Sequence, residues 1–170
     1  MVTPRKSSLL WPVMTLCLAI VIVAAAAPSA AQNPQLSDFG QVSFANSGSP
    51  AAQEACLRGL GALHDFEFET AADSFRKAQG IDPNFAMAYW GEAMSQNDGV
   101  HFQQNTQAGR AALNKLAPTL EARLAKCPTD RERDYMHAVD ALYNPPGRKD
   151  ERDFTYAAST GALYQKYHND

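Results

Sequence analysis

Apolar residues recur along much of the chain at the spacing of an α-helix. Ala71, Phe75 and Ala78 follow the i, i+4, i+7 pattern that places side chains on one helical face. Polar and charged residues fill the positions between them. This stretch therefore predicts an amphipathic helix over residues 68–79.

Turn residues follow that helix directly. Gly80 is expected to end it in the left-handed conformation, which glycine adopts at little steric cost. Asp82 and Pro83 then have the order of a helix N-cap and a first helical residue. They predict that a second helix, 83–96, begins after a very short turn and packs as the antiparallel neighbour of the first.

The same spacing predicts further helices, separated by polar and proline-containing turns. These are residues 51–64, 107–116, a short turn at 119–126, a helix that begins at about residue 130, and a last helix at about 150–167. Short connections make consecutive helices pair as hairpins. The predicted fold class is all-α, with stacked hairpins at about 51–79, 83–116 and 130–167 in a domain that spans 51–170.

Six positions around the first hairpin follow a small, aromatic and proline pattern. They are Gly59, Ala71, Phe75, Ala78, Pro83 and Ala93, the last lying one period of about 34 residues after the first. On these residues the chain resembles the tetratricopeptide-repeat family, and residues 86–94 are similar to its exported bacterial members. The resemblance implies a right-handed solenoid that acts as a non-enzymatic scaffold or adaptor.

The resemblance also implies which side chains face a bound peptide or helix on the concave surface. The predicted partner-binding residues are Gln53, His64, Met87, Trp90, Met94 and Asn97, and the same face continues through Cys56, Leu60, Tyr135 and Val139. Methionine and tryptophan suit adaptable apolar recognition. The alternative interpretation is that Trp90 and Met94 belong to the core, covered by the N-terminal leader or by later repeats.

The N-terminus has the pattern of a targeting segment. Arg5 and Lys6 precede an uncharged apolar run over 9–27, and small residues follow it, so residues 1–31 are predicted to be a cleaved signal peptide. The protein is therefore expected to be exported, to the periplasm or beyond. The alternative is that residues 9–27 are retained as an uncleaved anchor in the inner membrane, which would make the protein a membrane-tethered assembly factor. Residues 32–50 form a polar leader, part of which is expected to lie against the first hairpin through its apolar residues.

The charge balance changes the picture of possible partners. The chain has a formal net charge of −3, and without Arg5 and Lys6 the remaining 13 basic and 18 acidic residues give −5. Nucleic-acid binding requires clustered Lys and Arg. A protein or peptide is therefore the expected partner, and nucleic acid is not.

The sequence contains none of the common catalytic or phosphate-binding motifs, so no enzymatic activity and no cofactor are predicted. Its histidines are scattered. His64 and His101 could converge near Glu92 or Asp98, and two histidines with a carboxylate can bind a metal. A metal-binding or enzymatic accessory role for this region is the alternative function, although partly exposed histidines are the simpler interpretation.

Two features remain. Cys56 is expected to be a buried thiol and Cys127 a loop thiol, because the repeat geometry places them too far apart for a disulfide. The last helix is aromatic on both faces, whereas a terminal repeat helix usually has a polar outer face. We expect the repeats to continue beyond residue 170 or this face to be covered by a partner.

Overall fold

The computed structural model describes residues 39–168 of the chain. The predicted signal peptide and residues 32–38 of the leader lie outside this range. Within it the protein is all-α, as predicted, apart from one short hairpin. The elements are α1 (Pro50–His64), α2 (Phe68–Ile81), α3 (Ala86–Met94), β1 (Asn97–Asp98), β2 (Gln103–Gln104), α4 (Thr106–Leu116), α5 (Leu120–Leu124), α6 (Asp130–Tyr143) and α7 (Lys149–Lys166).

The boundary between α2 and α3 differs from the prediction. Gly80 lies inside α2 and does not have the left-handed backbone of a cap, so that prediction is wrong. The next helix begins at Ala86 and not at residue 83, because the N–H of Phe85 donates to the carbonyl of Asp82 and closes a turn first. Pro83 therefore sits in the turn and not at the start of a helix.

Asp82 has a different role from the predicted N-cap. Its carboxylate accepts hydrogen bonds from the backbone N–H groups of Asn84, at 3.2 Å, and Ser49, at 2.9 Å. Ser49 immediately precedes α1. Asp82 thus fixes the entry of the chain into α1 from the turn that follows α2.

The long connection after α3 contains structure that the sequence pattern did not predict. Residues 97–104 form an antiparallel hairpin in which Asn97 pairs with Gln104 and Asp98 with Gln103. Strands of two residues are too short for an alternating pattern to be recognised. Asn105 follows and caps α4 by accepting a hydrogen bond from the N–H of Ala108.

Consecutive helices pack from α1 to α4, and α6 packs on both α3 and α7. The ring of Phe75 in α2 fits between two glycines, since an added Cβ would lie 3.0 Å from the ring at Gly59 in α1 and 2.3 Å at Gly91 in α3. Of the residues predicted to pack the repeats, Pro83 is exposed and the other five are buried: Gly59, Ala71, Phe75, Ala78 and Ala93.

Helix α3 is the centre of the core, and every residue from Ala86 to Ala93 is buried. It includes Glu92, whose carboxylate accepts hydrogen bonds from Arg76, Gln79 and Lys115 at 2.9, 2.7 and 2.6 Å. Burial alone would raise the pKa of Glu92, but these three donors outweigh it and the pKa lies below the ordinary value. The network joins α2, α3 and α4.

A second buried ion pair fixes the short helix α5. Arg123 is 2% exposed, and its guanidinium donates to Asp140 of α6 and to the carbonyl of Ala117. Such a pair holds its elements in one arrangement because each charge needs the other once water is excluded. Tyr143 at the end of α6 then donates its hydroxyl to the carbonyl of Ala93, at 2.7 Å.

The last helix, α7, packs through a narrow face. Leu163 is its one buried residue among those described, while Phe154 and Tyr164 are largely exposed. Two aromatic residues of this helix are therefore open to solvent. That a further repeat or a partner covers them stays a prediction. In residues 39–168, no helix combines the length and apolar character needed to cross a membrane.

Candidate functional site

A cavity of about 560 Å³ lies between α1, α3, α6 and α7, next to the 97–104 hairpin. Its walls are mainly apolar. Six rings line it: Phe44, Phe66, Phe68, Trp90, Tyr135 and Tyr156. A volume of several hundred Å³ with predominantly apolar walls is typical of a ligand pocket.

The rest of the wall carries few polar groups. Aliphatic side chains of Leu60, Leu63 and Met94 contribute apolar surface, and His64 and Asn97 contribute polar atoms. No Lys, Arg, Asp or Glu lines this cavity. The cavity therefore favours a neutral, apolar group over a charged one, because a charge taken from water would find no partner there.

One side of the cavity is formed by an extended segment that precedes α1, residues 40–48, which we call the strap. Exposure alternates along it with the period of a β-strand. The partly buried residues are Val42, Phe44, Asn46 and Gly48, and the exposed ones between them are Gln41, Ser43, Ala45 and Ser47. The strap therefore turns every second residue toward the helices.

Phe44 anchors the strap in an aromatic cluster. Its ring stacks on Trp90 of α3, with centroids 6.0 Å apart, and meets Tyr135 of α6 edge-on at 5.7 Å. Trp90 and Tyr135 also meet edge-on, at 5.6 Å. The guanidinium of Arg131 lies 4.4 Å from the centroid of the Phe44 ring. Stacked and edge-on pairs at these distances are the preferred aromatic geometries.

Polar groups of the helices bind the backbone of the strap. The N–H of Ser47 donates to Glu132 at 2.7 Å, and Arg131 donates to the carbonyl of Ala45. Gln53 donates to the carbonyl of Gly48 at 2.7 Å. These contacts involve backbone groups that every peptide has.

Glu132 is unusual among them. It is 1% exposed, one carboxylate oxygen accepts from Ser47, and the other has no hydrogen-bond partner. Thr129 and Glu132 have the spacing of a capping box at the start of α6, but only half of it forms. Thr129 accepts from the N–H of Glu132, whereas the Glu132 carboxylate turns to the strap and not back to Thr129. The strap thus supplies the hydrogen bond that this buried carboxylate has.

Two glycines allow the close approach of the N-terminal segment to the helices. A Cβ at Gly48 would lie 2.4 Å from the ring of Phe85, and a Cβ at Gly61 of α1 would lie 2.6 Å from Phe39. Val42 also contacts the Gly61 position. The expectation that part of the leader lies against the first hairpin agrees with these contacts.

The six predicted partner-binding residues separate into three groups. His64, Trp90, Met94 and Asn97 line the cavity together. Gln53 binds the strap, and its side chain also pairs with Asn46 at 2.7 and 3.0 Å. Met87 is fully buried in the core and faces neither the strap nor the cavity.

The four residues that extend the predicted face divide in the same way. Leu60 and Tyr135 line the cavity, whereas Cys56 and Val139 belong to the core. Trp90 is 8% exposed under Phe44, so the alternative interpretation, that the leader covers this stripe, describes its position. Met94 is only partly buried and lines the cavity.

The histidines do not converge. His64 lies on the cavity wall, and His101 lies on the exposed hairpin, where its ring nitrogen is 2.7 Å from Asp98. The backbone N–H and the ring of His101 lower the pKa of that carboxyl. Glu92 is occupied by its own three donors. In residues 39–168, no cluster of three or more His, Cys, Asp or Glu side chains has an arrangement that could hold a metal ion.

Sequence reasoning missed the rim of the cavity. Phe66 and Phe68 lie at the turn between α1 and α2, their rings 6.3 Å apart, and Val100 comes from the hairpin. Phe66 has a left-handed backbone with φ of 62°, which is rare for a bulky residue and often occurs at functional positions. A phenylalanine within the turn, Phe66, and another at the first residue of α2, Phe68, were a signal for an apolar rim.

Both described cysteines are free thiols. Burial raises the pKa of the Cys56 thiol to about 12 and that of the Cys127 thiol to about 11. The charge of Glu132 adds a smaller increase at both thiols. Cys127 lies in the connection between α5 and α6, as predicted, but it is buried and not an accessible loop thiol. Neither thiol is suited to act as a nucleophile.

No protein-family model, curated protein or solved structure matches this chain. The resemblance to tetratricopeptide repeats therefore stays a prediction carried by the sequence pattern. The all-α fold, the strap and the aromatic cavity are the features from which a function can be argued.

Proposed function

We propose that this protein is a non-enzymatic, exported interaction scaffold that binds an extended segment of a partner protein at the open end of the groove between α1, α3 and α6, next to the strap. One observation carries the proposal: the groove already holds an extended segment, the strap, with alternate residues turned inward. Polar side chains of the groove bind backbone groups of Ala45, Ser47 and Gly48. The groove thus holds extended chain through backbone groups, and the cavity continues it beside the strap.

The cavity beside the strap is where side chains of the partner would enter. It is open to solvent at the rim formed by Phe66 and Val100, which are both largely exposed. Exposed apolar side chains around a concave, apolar surface are typical of a protein-binding site. The acidic net charge of the chain favours a protein partner over nucleic acid.

The proposal includes a tetratricopeptide-like arrangement of the helices. The successive packing of α1, α2, α3 and α4 supports it, as does the clamping of Phe75 between Gly59 and Gly91. Small residues at these positions let neighbouring helices approach closely around one aromatic ring. In such an arrangement the first helices of successive hairpins share the concave surface.

Site-specific photo-cross-linking in cells tests the proposal. A photoreactive phenylalanine analogue replaces Val100 at the cavity rim in one full-length variant and Lys77 in a control. Lys77 is exposed on α2 and does not line the cavity. The proposal expects a specific protein to be cross-linked from position 100 and not from position 77. The intact mass of the recovered protein reports whether residues 1–31 have been removed.

A second substitution shows whether the cavity is responsible. Leu63→Lys places an ammonium group on the neutral cavity wall and should abolish the cross-link from position 100, provided that the circular dichroism spectrum is unchanged. Equal cross-linking from positions 77 and 100, or a cross-link that survives Leu63→Lys, would show that the partner binds elsewhere on the surface.

A further inference from the structure

We propose that the strap is a working part of the cavity, and that the cavity takes a bulky, neutral apolar side chain of the partner only while the strap lies in its groove. This inference rests on the proposed function and adds the chemistry of the bound group and a condition for its binding. The strap forms part of the cavity wall through Ser43 and Phe44.

The position of Phe44 is the first argument. Its ring covers Trp90 and meets Tyr135, and all three rings face the same cavity. If the strap left the groove, the cavity would lose this ring and the apolar contacts that a bound group makes with it. A group that contacts the docked strap in turn stabilises docking, because the coupling between two binding events is reciprocal.

The chemistry of the wall is the second argument. Six aromatic rings and several aliphatic side chains surround the space, whereas the charged residues that hold the strap, Arg131 and Glu132, do not line it. A charged group would lose its hydration without gaining a partner. A phenylalanine, tryptophan, leucine or methionine side chain matches this environment, and the cavity volume of about 560 Å³ has room for it.

The third argument is that strap docking can be perturbed without altering the rest of the cavity. Gly48 belongs to the strap, and Gln53 and Glu132 bind the strap backbone; none of these three residues lines the cavity. A methyl group at Gly48 would collide with Phe85 at 2.4 Å, and Phe85 is 1% exposed within the core. Gly48→Ala should therefore displace the strap and leave the helical walls in place.

The experiment uses the full-length chain and Nile red, a neutral aromatic dye whose fluorescence rises in apolar surroundings. Titrations compare the wild type with Gly48→Ala and with a matched control, Gly80→Ala. Gly80 lies in α2, and nothing lies within 4 Å of an added Cβ there. We expect Gly48→Ala to weaken dye binding about fivefold to 150-fold, the usual range of coupling between sites, and Gly80→Ala to leave it unchanged.

A second measurement of strap docking uses only the wild type, so its result does not depend on whether a variant folds. The N–H of Ser47 is held by Glu132 when the strap is docked, so its hydrogen exchange reports docking. Saturating Nile red should slow this exchange. Three results would each overturn the inference: no dye binding by the wild type, exchange that is unchanged or faster with dye, and tighter dye binding by Gly48→Ala. The last result would show that the strap competes with the dye for the cavity.

The two proposals can fail separately. Strap-dependent dye binding without a cross-linked protein from position 100 would support the inference and contradict the proposed scaffold function. A specific cross-link together with strap-independent dye binding would support the scaffold function and overturn the inference.

Discussion

The clamp of glycines around Phe75 permits a graded test of helix packing. Gly59 lies on α1 and Gly91 on α3, and both face the ring of Phe75, which is 1% exposed. Gly80 provides the control, since it lies in a helix and an added Cβ there meets nothing within 4 Å. Each glycine is changed to alanine, so the chemical change is the same at all three positions.

The expected magnitudes follow from the distances. A Cβ at Gly91 would lie 2.3 Å from the ring and one at Gly59 would lie 3.0 Å from it, whereas ordinary contacts begin near 3.4 Å. Overpacking a core costs about 1–3 kcal/mol, and alanine in place of glycine gains up to about 1 kcal/mol within a helix. Gly80→Ala should stabilise the protein by about 0.5–1 kcal/mol, and Gly91→Ala should be about 1–3 kcal/mol less stable than it.

Urea unfolding followed by circular dichroism measures these differences through the midpoint and the slope. Gly59→Ala should fall between the other two variants because its ring contact needs only a small adjustment. If Gly91→Ala were as stable as Gly80→Ala, the ring of Phe75 could not be clamped between α1 and α3 as described. A stable Gly91→Ala with a destabilised Gly80→Ala would contradict the helix assignment itself.

Two further predictions concern buried ionisable groups. Hydrogen bonds lower the pKa of Glu92 despite its burial, so the stabilisation by its carboxylate is complete above the ordinary pKa of 4.5 and is lost as the pH falls through the folded-state pKa. Acidification from about pH 6 to about pH 3 should therefore lower the melting temperature of the wild type more than that of Glu92→Gln. Equal dependence of the two melting temperatures on pH would refute this. Burial raises the pKa of both Cys56 and Cys127. In a Cys17→Ser chain at about pH 8, dithiobis(nitrobenzoate) should therefore label neither thiol in the native protein and both after unfolding in guanidinium. Rapid labelling of the native protein would contradict their burial.

The helices were predictable because apolar residues recur at the helical spacing many times along the sequence. Ala71, Phe75 and Ala78 form a stripe of one period, and the helix that they predict is present as α2. The errors lie at its end. Gly80 can adopt a left-handed cap, but it is equally compatible with one more turn of helix, and the contacts of Asp82 with Ser49 decide the boundary. Those contacts join residues far apart in sequence, so no local pattern contains them.

The cavity was only partly predictable for the same reason. His64 ends α1, Trp90 and Met94 lie in α3, and Asn97 follows in β1. A helical period continued through these positions predicted that all four share one face, and all four line the cavity. The rim comes from turns and the hairpin, which have no period to recognise. The alternation of Val42, Phe44, Asn46 and Gly48 was present in the sequence, yet a polar setting concealed it, since two of these four residues are not apolar.

The two interpretations of the predicted partner-binding stripe, groove and core, each describe one part of its length. At the end near Gln53 the chain's own strap fills the groove with backbone hydrogen bonds and with the ring of Phe44. At the end near His64 and Asn97 the same stripe borders open space. A helical pattern of apolar residues cannot distinguish these cases, because a stripe covered by its own chain and one that awaits a partner need the same side chains. The extent of the strap separates them, which is why its docking is the property to measure.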